Sequence, residues 1–395
     1  MMKIETDVLI VGAGPSGSMA ARTLARNGVD VTIIDKTSEI GTPKRCAEGI
    51  TTSTLSKVGI ELDERWIARN ITGIEITSTD GSSIVFDESN SNLPDNGYVL
   101  ERKVFDKHLT AQAINSGARV YLRTMAVDAK RVDDHVLVTC ESFFGVDEIE
   151  AKIVIAADGP KSSIARLLGL NTRVDVNNIA SCIQYEMVGV SAPNMNNVYI
   201  YIGSVVPGGY IWIFPKGDDI ANVGLGILKS HTDKTAKYYL DNFVATNEFL
   251  KDSEIVEVNV GGDPVGGLVK DRFGDNVLVV GDAAGFVNPL TGDGIYSALK
   301  SGYYAGGVAN KSILDGDYSS SYLRKYYDLT QEDIGNDYDK YNRVKEFLLT
   351  LDDDSLNSIV SNLSDVSFED VTVSSLIKVI IKSSPKSLLK LGKLF

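Results

Sequence analysis

The sequence predicts an α/β (α+β) chain, with a parallel sheet, an inserted and mostly antiparallel β-sheet, and a C-terminal helical region. Three observations predict it. From Asp7 to Asp35 an apolar run, a glycine turn, an Ala-rich helical stretch and a second apolar run follow in order. From Ala180 to Leu228 long alternating strands take over with almost no helix. From Ser319 apolar residues recur at helical spacing, with Tyr341, Val344, Leu348 and Leu351 on one face.

The chain of 395 residues has room for two or three domains. Hydrophobic content of 43% and charged content of 23% are ordinary for a soluble globular protein. A net charge of −14 leaves no general basic field, which excludes nucleic acid as a partner. Cys46, Cys140 and Cys182 form no close pair, so neither a disulfide framework nor a metal or iron–sulfur site is expected. A reducing, cytoplasmic setting follows. The first strand begins almost at once, so no leader is expected, and no apolar run approaches the roughly 18 residues of a membrane span.

Taken in order, Val8–Val11 is a buried strand, and GAGPSG (Gly12 to Gly17) is the turn that follows it. Gly12 permits the turn, Gly14 lets backbone N–H groups approach a pyrophosphate, and Gly17 lets helix and strand pack closely, with Pro15 and Ser16 completing the turn. The helix that starts there points its positive end at the anion. Val31–Ile34 is the parallel partner strand. Asp35, 23 residues after Gly12, stands where it can accept ribose hydroxyls, and Lys36 follows it. In this βαβ context the motif predicts an adenine dinucleotide site.

Thr42 to Ile50 (TPKRCAEGI) is a polar loop. Asn70 to Asp87 alternates around Asp80-Gly81, a β-hairpin pattern. Gly97–Leu100 is a short strand, followed by Arg102 and an amphipathic helix over Lys103–Ser116. Val120–Val127, Val136–Cys140 and Glu148–Ala156 are predicted strands, the last stopping at Asp158-Gly159. Val277–Val280 is a buried parallel strand that ends at Gly281-Asp282. Gly292-Asp293-Gly294-Ile295 then opens a helix whose Ala298, Gly302 and Gly306 put small residues on one face. In Pro207–Pro215 (PGGYIWIFP) a strand's period of two sets Tyr210, Trp212 and Phe214 on one face and Ile211 and Ile213 on the other. Such a strand is buried on both sides or lines a ligand cavity.

The glycine turn, Arg102 before Phe105-Asp106, Asp158-Gly159 and Gly281-Asp282 recur at separations that resemble the flavoprotein hydroxylase-like fold. That resemblance implies FAD. It gives Asp282 the ribityl chain, sets Arg102 near the pyrophosphate and ribityl, and sets the Ala126 backbone at the adenine edge. It also lays the helix start at Gly294 and Ile295 against the pyrimidine edge of the flavin, where the dipole would stabilise negative charge. The PxxYxWxFP pattern is similar to that of geranylgeranyl reductases, as are KRCAEG (Lys44 to Gly49) and the Asp158-Gly159…Arg166 spacing. The chain looks closest to the archaeal branch that saturates geranylgeranyl chains of membrane ether lipids such as 2,3-di-O-geranylgeranylglyceryl phosphate. Cys46, Ala47 and Gly49 are implied beside the flavin. Tyr210, Trp212, Phe214 and Pro215 are implied at the lipid.

These implications set a domain division. Residues 1–65, 96–170 and 268–316 would form a Rossmann-like FAD-binding domain, 66–95 and 171–267 a substrate-binding sheet domain, and 317–395 a C-terminal helical domain. An isolated trisubstituted alkene is not polarised, so reduction is expected to combine a proton on one carbon with hydride from flavin N5 on the other, either with cationic character at the tertiary carbon or by concerted addition. Tyr210 and Trp212 would face any cationic character at the tertiary carbon, and Cys46 would help place the alkene or pass a proton. Cys140 and Cys182 read as core.

The tail carries Lys378, Lys382, Lys386, Lys390 and Lys393 and no acid after Asp370, beside an apolar face broken at Pro385. Two readings stand: peripheral contact with the inner face of an anionic membrane, or a helix docked on the body. No second dinucleotide motif is present, which leaves NADPH, ferredoxin or another carrier as transient electron donor. A hydroxylase of the same fold and a flavin-less prenyl-binding escort protein are the competing readings.

Overall fold

The computed structural model describes residues 3–87 and 97–363. In chain order its elements are β1 (Lys3–Val11), α1 (Pro15–Arg26), β2 (Val31–Ile34), β3 (Gly49–Thr51), α2 (Thr52–Lys57), β4 (Ile67–Ile71), β5 (Gly73–Thr77), β6 (Ser83–Asp87), β7 (Gly97–Leu100) and α3 (Arg102–Asn115). Next come β8 (Arg119–Tyr121), β9 (Thr124–Val132), β10 (His135–Ser142), β11 (Gly145–Ala156), α4 (Ser163–Leu167), β12 (Ile179–Val188), β13 (Asn197–Ile202), β14 (Tyr210–Pro215) and β15 (Ile220–Leu228). The rest are α5 (Ala236–Thr246), β16 (Glu254–Pro264), β17 (Phe273–Gly274), β18 (Val277–Val279), α6 (Ile295–Asp315), α7 (Ser320–Thr330), α8 (Asn336–Leu348) and α9 (Asp353–Leu363). No helix among the described residues is long and apolar enough to cross a membrane.

The chain divides into two compact units. Of the described residues, the first takes those within 1–44, 102–175 and 264–339, and the second takes those within 45–101, 176–263 and from 340 onward. In the first unit, strands β18, β11, β1, β2 and β8 run parallel in that order, while β17, β10 and β9 join antiparallel. The far half of β1, Val8 to Val11, is buried on both faces, as an interior parallel strand must be. Expected strand Val120–Val127 is in fact two. Arg123, at φ 51, breaks it, so that β8 finishes the parallel sheet and β9 turns away to pair with β10.

Helix α6 lies on α1, and its small residues make that approach possible. A Cβ on Gly302 would sit 2.1 Å from the Ser16 carbonyl oxygen, and one on Gly306 would sit 2.8 Å from Thr23 Cβ. The stripe therefore serves helix–helix packing.

The second unit holds a seven-stranded sheet in the order β16-β12-β15-β14-β13-β5-β6 and a three-stranded sheet β3-β7-β4. The larger sheet is antiparallel from β12 to β13, as expected, but β13 pairs parallel with β5. One of its faces is core. Ile183, Tyr185, Ile211, Ile213, Val223 and Leu225 pack there against Leu240 and Phe243 of α5.

The division departs from the three expected domains. Residues 45–65 belong with the second unit because β3 pairs with β7. The expected helical domain is split: Tyr326 of α7 donates to the Val279 carbonyl at 2.7 Å, which keeps α7 in the first unit, while Thr79 bonds Asn357 of α9 in the second. Of the expected helical face, Tyr341, Val344 and Leu348 lie on α8, but Leu351 lies beyond its end. A π turn over Gln331–Gly335, which no sequence pattern announced, joins α7 to α8. The lysines of the tail lie outside the described residues.

Candidate functional site

In the first unit the glycine turn links β1 to α1. Gly12 has φ 110, and a Cβ there would lie 2.2 Å from the Ala157 carbonyl at the end of β11; one on Gly17 would lie 2.0 Å from the Gly12 carbonyl. Only glycine fits either place. At Gly14 nothing lies within 4 Å of the missing Cβ, which leaves open space beside the start of α1. Pro15 opens the helix and Ser16 is buried. Asp35 accepts from Ala13 N at 2.8 Å through Oδ2 and from Thr37 N through Oδ1, so it pins the turn to the end of β2. Lys36 directly follows Asp35, and Ala126 lies on β9 opposite Cys140.

Asp282 joins this turn. Gly281, at φ 61, packs on Ser16, and Asp282 Oδ1 lies 3.8 Å from the Cβ position of Gly294 at the start of α6. The amide of Ile295 is capped by Asp293 Oδ1 at 3.2 Å. Burial pushes the Asp282 carboxyl above the usual carboxylate range, and the Arg102 charge pulls it back. Arg102 itself grips Asp106 through two bonds of 2.9 and 3.0 Å at the first turn of α3. Asp158 uses Oδ2 to cap α4, bonding Ser163 N at 2.5 Å, while its Oδ1 is buried without a hydrogen-bond partner. Burial raises the Asp158 pKa. The open space at Gly14 and the orphaned oxygen of Asp158 both fit a dinucleotide laid over the turn.

The second unit brings Tyr210, Trp212, Phe214 and the Cys46 loop to one face of its large sheet. Register sets Trp212 opposite Gly224 and Tyr210 opposite Gly226, and the same two glycines stand opposite Gln184 and Cys182 on the other side. Trp212 therefore leans over a glycine: a Cβ on Gly224 would lie 2.5 Å from its Cζ2. Its Nε1 donates to Gln184 Oε1 at 2.9 Å, and Gln184 Nε2 donates to the Cys46 carbonyl at 3.0 Å. Tyr210 packs against Trp212 with ring centroids 5.8 Å apart. Tyr210 and Phe214 are half-buried, while Trp212 on the same face and Ile211 and Ile213 on the other are buried. Phe214 fills the space of the missing Cβ at Gly49, 2.6 Å away, and packs on Ile71, Val99 and Val198. Pro215 is buried at the strand end.

The Cys46 loop is anchored a second time. Lys216 is buried and its Nζ lies 2.8 Å from Glu48, 2.9 Å from Glu101 and 3.3 Å from Glu186. Burial alone would lower its pKa, but Glu48 and then Glu101 outweigh burial and hold the ammonium above the ordinary lysine range. Glu48 is fully buried at φ 75, and Asn222 Nδ2 donates both to its carboxylate at 2.7 Å and to the Ala47 carbonyl at 3.1 Å. Breaking such a buried pair costs on the order of 3–5 kcal/mol, because a charge is left uncompensated. Cys46 Sγ accepts from Glu48 N at 3.2 Å. Cys140 is fully buried, its thiol pushed up to about 12 by burial, and burial also raises the half-buried Cys182.

Gln184, Asn222, Gly224, Glu48 and Lys216 were not singled out from sequence. A signal existed: Gln184 and Asn222 set amides on the strand face that Trp212 occupies, Asn222 in an otherwise apolar strand, and a buried amide there requires partners.

The NAD(P)-binding Rossmann-like domain family matches residues 10–46, and the geranylgeranyl reductase catalytic domain family matches residues 178–262. Together they define an oxidoreductase in which a dinucleotide-binding unit is joined to a prenyl-reductase sheet. Digeranylgeranylglycerophospholipid reductase 2 of Methanosphaera stadtmanae is 54% identical over 99% of this chain and 100% of its own length. Digeranylgeranylglycerophospholipid reductase 1 of Methanothermobacter thermautotrophicus is 49% identical over the whole of both chains. The crystal structure of a geranylgeranyl bacteriochlorophyll reductase-like protein from Thermoplasma acidophilum, 34% identical, superposes with a TM-score of 0.93 over the whole of both chains. The flavin-dependent brominase Bmp2 shares the fold at a TM-score of 0.72 and 16% identity, covering 97% of this chain and 100% of its own. The chain belongs to the digeranylgeranylglycerophospholipid reductase family.

Proposed function

We propose that the chain is an FAD-dependent reductase that hydrogenates the C=C bonds of geranylgeranyl chains in archaeal-type ether phospholipids. The observation that carries this reading is the Trp212–Gln184–Cys46 array on the sheet that matches the geranylgeranyl reductase catalytic domain. Gly12 to Gly17 would hold the pyrophosphate of FAD and Asp35 the adenosine ribose. Arg102 and Asp282 would hold the ribityl side, with Gly294 and Ile295 at the flavin. When bound and reduced, FAD supplies the hydride.

The remaining work belongs to this chain. A polyprenyl tail needs an apolar wall, and Tyr210, Trp212 and Phe214 provide aromatic faces for it. An alkene without a neighbouring carbonyl accepts hydride only as positive charge develops on its more substituted carbon. The electron-rich faces of Trp212 and Tyr210 stabilise that charge by roughly 0.5–2 kcal/mol. The other carbon takes a proton, and Cys46 is the titratable group we assign to hold or pass it at Sγ. The electron donor is a transient partner, for which NADPH and ferredoxin are the candidates. Peripheral membrane contact brings the enzyme to its lipid.

The test is spectroscopic. Purified protein is reduced with dithionite without oxygen, and digeranylgeranylglyceryl phosphate is added. Return of the oxidised flavin band on lipid addition supports the reading. A band that returns only when oxygen is admitted points to a hydroxylase, and a protein without a flavin band to a prenyl-binding escort.

A further inference from the structure

The Cys46 loop is held on the signature sheet by two independent devices, and neither is needed simply to fold a strand. Gln184 uses its amide as a two-ended tie, accepting from the indole of Trp212 and donating to the carbonyl of Cys46. Only a primary amide of this length offers an acceptor and a donor on one rigid plane. Glu48, two residues on, is buried in a left-handed conformation that side chains rarely adopt, and it stays there because Lys216 and Asn222 hold its carboxylate. Asn222 also fixes the Ala47 carbonyl, so three successive residues of the loop, Cys46, Ala47 and Glu48, are bonded to β12, to β15 or to Lys216 just past β14. Strain that its surroundings over-determine is a mark of a positioned site.

We propose that Gln184 and the Lys216–Glu48 pair are positioning residues that lock the Cys46 loop in register with the Trp212 strand and act on the reaction only through Cys46 and Trp212. The proposal rests on the prenyl-reductase reading above. It follows that these residues set which bond of the polyprenyl chain is presented, while the affinity for the lipid comes from the aromatic wall. Loosening the loop should lower turnover and scramble the order of reduction without weakening lipid binding.

The experiment compares wild-type holoenzyme with Gln184→Leu, Gln184→Glu, Lys216→Met and the double variant Lys216→Met/Glu48→Gln. Three readouts are taken: kcat and KM for digeranylgeranylglyceryl phosphate, the positions of residual double bonds in partly reduced lipid, and hydrogen exchange of the peptide spanning residues 44–51. Gln184→Leu is expected to lose about tenfold or more in kcat with KM within about threefold, to change the pattern of residual bonds, and to lose protection at 44–51 while the peptide at 210–215 keeps it. Gln184→Glu keeps the indole acceptor but loses the donor to Cys46, so it should share the exchange defect. Lys216→Met strands the Glu48 charge, and adding Glu48→Gln should restore part of kcat because the neutral amide still accepts from Asn222.

Unchanged protection at 44–51 in Gln184→Leu overturns the proposal, whatever the activity. A loss confined to KM overturns it by making Gln184 a lipid-binding residue, and loss of protection across the whole sheet overturns it by making the role structural. A wild-type protein that leaves the lipid unreduced refutes the proposed function instead, and the exchange data still decide the tie.

Discussion

Replacing Gly302 by alanine tests the packing that underlies the dinucleotide site. The added Cβ would lie 2.1 Å from the Ser16 carbonyl oxygen and 3.2 Å from Ala20 N, against an ordinary contact of 3.4–4 Å. Helices α6 and α1 must part by about 1 Å, or Ser16 must move out of the turn; overpacking of this kind costs about 1–3 kcal/mol. Alanine returns about 1 kcal/mol of helix propensity. Gly307, five residues along the same helix, supplies the control, because a Cβ there meets nothing within 4 Å and keeps the propensity gain whole. Gly302→Ala and Gly307→Ala should therefore differ by the overpacking alone. In urea unfolding, with a slope near 2–3 kcal/mol/M, that separates their midpoints by roughly 0.3–1.5 M. Gly302→Ala should also release flavin more readily on gel filtration, since Ser16 belongs to the turn. Coincident midpoints and equal flavin retention would refute the reasoning.

Three further outcomes are expected. Gly224→Ala puts a Cβ 2.5 Å from Trp212 Cζ2 and should displace the indole, with kcat falling about tenfold or more in steady-state assays of lipid reduction. Trp212→Leu should lose roughly 2- to 30-fold in kcat, and Trp212→Phe, which keeps a π face but not the bond to Gln184, should lose less; a wild-type rate in Trp212→Leu would remove the charge-stabilising role. Asp158 has its pKa raised in the fold by burial, so the folded state binds more protons than the unfolded one and stability falls as pH rises from the unfolded carboxylate pKa through the folded value. In flavin-free protein Asp158→Asn should flatten that fall, as read from urea midpoints across the acidic range.

The first unit was legible because its chemistry is local. A glycine turn between two apolar runs leaves few alternatives, and Gly12 and Gly17 stand against backbone as their spacing implies. The period of two likewise put Ile211 and Ile213 together on one face, which in the fold is core. What stayed hidden depends on distant partners or on single dihedral angles. Nothing near Arg123 in sequence says that it takes φ 51 and cuts one strand into two. The small face of α6 was visible, but its neighbour α1 comes from the other end of the chain. The split of the C-terminal helices between two units turns on individual bonds such as Tyr326 to Val279. Gln184, Glu48 and Lys216 were the costliest to miss, since each looks ordinary until strand register sets it beside Cys46 or Trp212.

The central claim is that this chain adds hydrogen to isolated prenyl double bonds. The most direct measurement is mass spectrometry of digeranylgeranylglyceryl phosphate after anaerobic incubation with the dithionite-reduced protein. The account predicts a ladder of products, each heavier than the last by one pair of hydrogens, with the prenyl double bonds disappearing in step. Lipid recovered at its original mass from a flavin-loaded, fully reduced protein would contradict it.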